Sequence, residues 1–239
     1  MRKGLYLLLG CVLFPLVANA LDTDKTMSED ASEALHKHSD PVVLAPGYAD
    51  LQFIPPAAGK YRLPPMGRAE NGEILDTTGA RHRLHEYFGD KLVVMSFIYT
   101  TCSDVNGCPL ASHVFRKLQE RLLDDKLLRS QVRLLSFSFD PAHDTPEVLG
   151  EYSKFFKDDN FDWQFLTTPS EQELDPILAD YGQWVIRDYD DSGRYMGSMS
   201  HVLRVFLIDR AKRIRNIYSV SFLHADTVAN DLRTLLLEE

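Results

Sequence analysis

The chain has 239 residues, enough for one domain with extensions. Hydrophobic residues make up 44% and charged residues 26%, the ordinary balance of a soluble globular protein. A formal net charge of −9 argues against a nucleic-acid partner, whose phosphates would be repelled.

Residues 1–20 read as a secretory signal. Arg2 and Lys3 start it, an apolar run from Leu5 to Val17 is broken by Pro15, and Ala18-Asn19-Ala20 forms a small-x-small cleavage site. The run falls short of the about 20 apolar residues of a comfortable membrane span. A retained signal serving as an anchor stays open, and Leu8-Leu9-Gly10-Cys11 has a loose likeness to a lipobox. Cleavage would remove Arg2 and Lys3 and no acid, turning −9 into −11. It would also remove Cys11 and leave Cys102 and Cys108 as the thiols of an exported, periplasmic (if bacterial) or membrane-tethered protein. Outside the cytosol such a pair is oxidised unless it is kept reduced or metallated.

Residues 21–50 read as a flexible tether, too polar to bury a core, with His36-Lys37-His38 as a solvated part of it. Residues 51–239 form the expected domain. Its first stretch, "FIPPAAGKYRLPPMG", is proline-broken and predicted to run extended along the domain edge. Strand-like pieces around Ile74 and from Arg81 to Leu84, with turn signals at Asn71-Gly72 and Gly79, predict an N-terminal β-hairpin.

From residue 91 the pattern alternates. "KLVVMSFIY" is an apolar run suited to a strand covered on both faces. Leu110, Val114, Phe115, Leu118 and Leu122 then recur at helical spacing. "VRLLSFSF" is a second buried strand. Thr145 and Pro146 open a second helix as N-cap and first helical residue. "DWQFLTT" is a short strand. "SEQELDPILADYG" is a helix with capping-box spacing and a glycine stop, predicted to kink or split at Pro176. "DDSGRYMGSMS" reads as a loop, "HVLRVFLID" and "RIRNIYSV" as two strands joined by a tight turn, and "ADTVANDLRTLLLEE" as the closing helix. The order predicts an α/β fold, thioredoxin-like, with a central mixed sheet flanked by helices.

Cys102 falls in the loop after the first central strand, and Cys108 at the start of the next helix with Pro109 in its first turn. A helix N-terminus offers unpaired amides and partial positive charge, which favour thiolate over thiol. Asn106-Gly107 tolerates left-handed backbone angles, which predicts a loop that curls back through them. A structural disulfide would close only a small loop and gain little. A redox couple fits the helix start. A metal site needs a further ligand, and two thiolates favour a soft ion such as Cu(I). Among the histidines, His82 and His85 fall in the hairpin region, His113 on the first helix, His143 in a cap-rich loop and His224 before the last helix. His201 begins a buried strand whose start can lie near the cysteines, and imidazole with two thiolates makes a trigonal copper site. Met196 and Met199 are read as packing residues.

In order from about residue 61, the chain resembles the Sco/SenC family. "FIYTTC" followed by "CP" looks like its strand-to-cysteine motif, "SFDPAHDTPEVLGEY" its second-strand segment, "HVLRVFLID" the segment with its downstream histidine, and "RIRNIYS" the strand after it. The resemblance implies a thioredoxin-like copper metallochaperone, holding one Cu(I) or Cu(II) ion, that assists maturation of a respiratory copper enzyme, cytochrome c oxidase foremost. It makes Cys102 and Cys108 the redox-active metal ligands, His201 the third ligand, and Asp140 an acidic neighbour of the site. Asp144 to Glu147 are read as helix capping. The implied partners are a copper-receiving oxidase subunit or a protein whose cysteines exchange with the pair. Membrane contact would come only through the partner or an uncleaved signal. A thiol-disulfide oxidoreductase and a copper or redox sensor are the alternative readings. The family typically has three residues between its cysteines; here Ser103 to Gly107 make five. A peroxiredoxin would carry a proline ahead of its cysteine, and none lies between Lys91 and Cys102.

Overall fold

The computed structural model describes residues 42–238, so the predicted signal, Cys11 and His36-Lys37-His38 lie outside the described residues. In chain order the elements are β1 (Gly67–Arg68), β2 (Glu73–Asp76), β3 (Arg81–Arg83), α1 (Leu84–Phe88), β4 (Leu92–Ile98), α2 (Cys108–Asp124), α3 (Lys126–Gln131), β5 (Val132–Ser138), α4 (Pro146–Ser153), β6 (Trp163–Thr167), α5 (Glu171–Asp180), β7 (Val185–Tyr189), β8 (Tyr195–His201), β9 (Val205–Ile208), β10 (Arg213–Tyr218) and α6 (Ala225–Glu238). Among the described residues, eight strands form one mixed sheet in the order β1-β10-β9-β4-β5-β6-β2-β3, and β7 pairs with β8 in a separate ribbon.

β4 lies in the middle, parallel to β5 and antiparallel to β9. All seven of its residues are buried, as its unbroken apolar run requires. The Phe97 ring stacks on Phe137 at 5.3 Å and meets Tyr181 and Phe206 edge-on. α2 turns Leu110, Val114, Phe115, Leu118 and Leu122 inward and packs against α6. The predicted hairpin is β2 and β3, and it extends the sheet by pairing β2 with β6.

The structure corrects several expectations. "DDSGRYMGSMS" is not a loop, because most of it is the β7–β8 ribbon: the turn Asp190–Gly193 joins the strands and His201 pairs with Val185. Its Asp, Ser and Gly residues look like loop because ribbon strands exposed on both faces need no apolar alternation. His201 therefore ends this ribbon, and the buried strand starts only at Val205. α5 remains one helix through Pro176: the ring removes one backbone bond, while buried Leu174, Ile177 and Leu178 hold the turns on either side. Thr145 caps α4 and Ser170 caps α5, as expected.

The proline-broken stretch runs along α6 and the sheet edge. Gly59 N donates to Thr234 Oγ1 at 3.2 Å, Tyr61 Oη to Asp231 at 2.6 Å, and Met66 N to Ile214 O at 2.8 Å. The compact unit opens at Leu44, ahead of the boundary drawn from composition. Its first element is a 3₁₀ turn, Pro46–Tyr48. Gly47 there is buried so closely that a Cβ would stand 2.4 Å from Leu223 O.

Candidate metal and dithiol site

The sheet topology brings the three residues together. β4 delivers the chain to Tyr99 and Cys102, and α2 begins at Cys108. β9 lies antiparallel beside β4 with Val205 opposite Ser96, so the residues just before β9 arrive at the same end of the sheet as the cysteines. One ligand atom from each of Cys102, Cys108 and His201 lies within 4.8 Å of the others. Both cysteines are free thiols. Cys108 is buried at 1% exposure, whereas Cys102 and His201 are half-buried at a cleft of about 290 Å³ lined also by Tyr99, Asp104, Asp188, Ser198 and Ser200.

The two thiols are unequal. The Cys108 S–H donates to Cys102, and this is the main reason that the Cys102 thiol is brought down to about 5; burial opposes it, while the amides of Cys108 and Asp104 and the Tyr99 hydroxyl add to it. No side chain caps α2 at Gly107, and the Cys102 sulfur accepts from the amide of Cys108, the first residue of the helix. Cys108 is pushed up, first by that same hydrogen bond and then by burial. The pair titrates as a unit in which Cys102 is the favoured thiolate.

His201 Nδ1 lies 3.2 Å from Met199 O and Nε2 lies 3.5 Å from Cys108 Sγ. A carbonyl can only accept, so Nδ1 carries a proton toward Met199 O, and Nε2 is the ring nitrogen that faces the sulfur. Phe139 and Tyr99 wall the ring at 4.9 and 5.7 Å between centroids. Burial is the main cause that pushes the Tyr99 hydroxyl up to about 12, so it stays a donor beside the thiolate.

Asp140 is not one of the converging groups. Burial and the charge of Asp144 hold its carboxyl above the usual range, and its backbone carbonyl accepts from Asp144 N at 2.8 Å. Asp144, read from sequence as capping, is the acid that fastens the site. It is fully buried and accepts from Thr100 N at 3.1 Å, Thr100 Oγ1 at 2.5 Å and Ser138 Oγ at 2.5 Å. It thereby ties the chain leaving β4 to the end of β5. Its place before Thr145-Pro146 disguised it as part of a helix start. Tyr99 and Phe139 read as ordinary strand residues. Met199 packs as expected, but Met196 is 64% exposed on the ribbon.

The spacer also differs from its expected form. Gly107 has φ −95°, and among the described residues Lys212 is the non-glycine with positive φ. The loop curls without left-handed angles. Instead Asp104 turns it, with Asn106 N donating to Asp104 Oδ1 at 3.0 Å and Gly107 N to Asp104 O at 2.9 Å.

Fold and site together define a thioredoxin-like dithiol protein with a histidine placed to complete a soft-metal site. The SCO1/SenC family model matches residues 71–237, and the chain belongs to that family. It is 29% identical over 154 residues to a SCO2-like protein of Rickettsia typhi, an overlap of 62% of this chain and 66% of that one. The chain spans between 38% and 66% of the length of the curated relatives it matches. A SCO1/SenC family lipoprotein from Bacillus anthracis is similar in structure, with TM-score 0.60, 25% identity and coverage of 72% of this chain and 97% of that one. A ScoI from Arabidopsis thaliana with copper bound gives TM-score 0.60 at 17% identity over 72% and 99% of the two chains, a likeness of fold. Among the described residues, no helix is long and apolar enough to cross a membrane.

Proposed function

We propose that this protein is an exported copper metallochaperone that carries one copper ion on Cys102, Cys108 and His201 to a respiratory copper enzyme, cytochrome c oxidase foremost. The observation that carries the reading is the convergence of two free thiols and an imidazole at one cleft. Two thiolates and a nitrogen suit Cu(I), and the half-exposed Cys102 and His201 allow ligand exchange with a client. Membership in the SCO1/SenC family, and the copper held by a protein of the same fold, support the cargo. Asp144 positions the cysteine loop, and Asp140 supports it through Asp144. The predicted signal supports a place outside the cytosol, with cleavage or retention deciding between release and tethering.

Copper titration of the reduced protein tests this, with absorption spectra read for thiolate-to-Cu(II) charge transfer. One equivalent is expected to bind. Stoichiometric binding by a Cys102→Ser/Cys108→Ser protein would overturn the proposal.

The inequality of the thiols supports a second reading, reduction of a partner disulfide. The Cys102 thiolate would attack one partner sulfur and form a mixed disulfide. Cys108, losing its proton, would then attack Cys102 and release the partner dithiol, leaving Cys102–Cys108 oxidised. His201→Ala separates the two readings: copper binding lost with activity in cells unchanged favours the reductant, and both lost together favours the chaperone.

A further inference from the structure

The spacer between the cysteines is held from outside by residues of the stretch read from sequence as tether. Ala45 N donates to Asn106 Oδ1 at 2.8 Å, and Tyr48 Oη donates to Val105 O at 2.5 Å. The Tyr48 ring rests on His113 of α2, with centroids 4.8 Å apart. A Cβ on Gly47, between these anchors, would stand 3.0 Å from Val114 and 3.1 Å from Leu110 of α2, and 2.4 Å from Leu223 O, so the turn lies close against all three. One short turn therefore touches both the loop that carries Cys102 and the helix that begins with Cys108. Bonds made inside the spacer by Asp104 shape it locally, but they do not by themselves set its distance from α2.

We propose that the Ala45–Tyr48 turn is a strap that positions the dithiol pair, with Tyr48 and Asn106 as its positioning residues. A longer spacer has more conformations to lose when its ends are brought together. The strap removes that freedom beforehand, so the five-residue loop presents its sulfurs at the spacing the site needs. Tyr48 and Asn106 act through the loop. The proposal rests on the dithiol and copper reading above, and it predicts that residues ahead of the domain's first strand set the affinity of the site.

The test uses Tyr48→Phe and Asn106→Ala in the full chain, with two readouts. The first needs no copper: the equilibrium of the reduced pair with oxidised glutathione, in which two thiols become one intramolecular disulfide and glutathione disulfide becomes two glutathione thiols. The second is Cu(I) affinity by competition with a chelator. Tyr48→Phe keeps the ring on His113 and deletes only the hydroxyl. Each variant is expected to lower the fraction of disulfide, expressed as an equilibrium constant, roughly 2- to 10-fold, the worth of one hydrogen bond. Cu(I) affinity should fall by a similar factor. The double variant should fall by less than the product of the singles, since both act on one loop. Gly47→Ala, which forces the turn off Leu223 O, should lower both quantities at least as far as Tyr48→Phe. Wild-type values for both readouts in Tyr48→Phe and Asn106→Ala would overturn the strap, as would single effects that multiply in full. If the wild type itself bound no copper, the metallochaperone reading would fail. The glutathione equilibrium would still decide the strap.

Discussion

The two halves of the site are built from different material. The cysteine half grows out of β4 and α2, where every β4 residue is buried and Asp144 takes three hydrogen bonds at the end of the sheet. The histidine half hangs on the β7–β8 ribbon, whose Ile186, Tyr189 and Met196 are exposed. A two-stranded ribbon alone is marginal in water. This one is held by Ser198 and Ser200 donating to Asp188 at 2.8 Å, by Arg187 pairing with Glu171, and by Met199 N reaching Tyr99 Oη at 3.4 Å. The sulfurs thus sit at the end of the core sheet, while the imidazole is carried by a ribbon that pairs outside that sheet. The carrier proposed above would gain from that division, with two ligands on the core and the third on a separate element.

The comparison can be broken most forcefully in the sheet. Phe97→Ala removes a buried ring from beneath the cysteine half and is expected to cost about 3–5 kcal/mol in urea unfolding. A loss below about 1 kcal/mol would show that the core does not anchor this half. Next, Asp144→Ala strands the Thr100 and Ser138 donors and should cost about 2–3 kcal/mol of stability. It should also weaken Cu(I) binding about 10- to 100-fold, measured by chelator competition. Unchanged affinity would remove Asp144 from the site.

A smaller effect tests the inequality of the sulfurs. Alkylation of reduced Cys102 should hold its rate as pH falls through neutrality and drop with a midpoint near about 5. Cys108→Ala deletes the S–H that stabilises the thiolate, so the midpoint should move up toward the ordinary thiol value. A midpoint near about 8.5 in the wild type would show that Cys102 is not the thiolate. Smallest of all, Met196→Ser on the exposed ribbon should change stability by no more than about 0.5 kcal/mol and leave Cu(I) affinity as it was. A large loss of affinity would make the ribbon as stiff as the sheet.

Much of this was legible in the sequence because burial on both faces leaves an unmistakable mark. The runs of β4 and β5, the α2 periodicity, and the caps at Thr145 and Ser170 each follow from short-range rules that act within a few residues. Cys102, Cys108 and His201 were legible as chemistry, and their order along the chain carried the family likeness. The ribbon was hidden because its strands are exposed and rich in Ser, Gly and Asp, so no hydrophobic pattern reports their pairing. Asp144 was hidden because a buried acceptor and a helix cap use the same residue types at the same place. The hold of Ala45 and Tyr48 on the spacer spans 61 and 57 residues, and local composition carries no record of contacts at that range.

By itself, then, the sequence determined the alternation of strands and helices, the placing of one thiol at a helix start, and the residues able to bind a soft metal. Propensity, periodicity and side-chain chemistry are properties of the local chain. Only the tertiary structure decided that β9 lies antiparallel beside β4, and so brings His201 to the sulfurs. It alone decided which sulfur is favoured as the thiolate, and which distant turn holds the loop between them. Those outcomes depend on distances between segments far apart in the chain, which arise only when the sheet closes its ladder and the core excludes water.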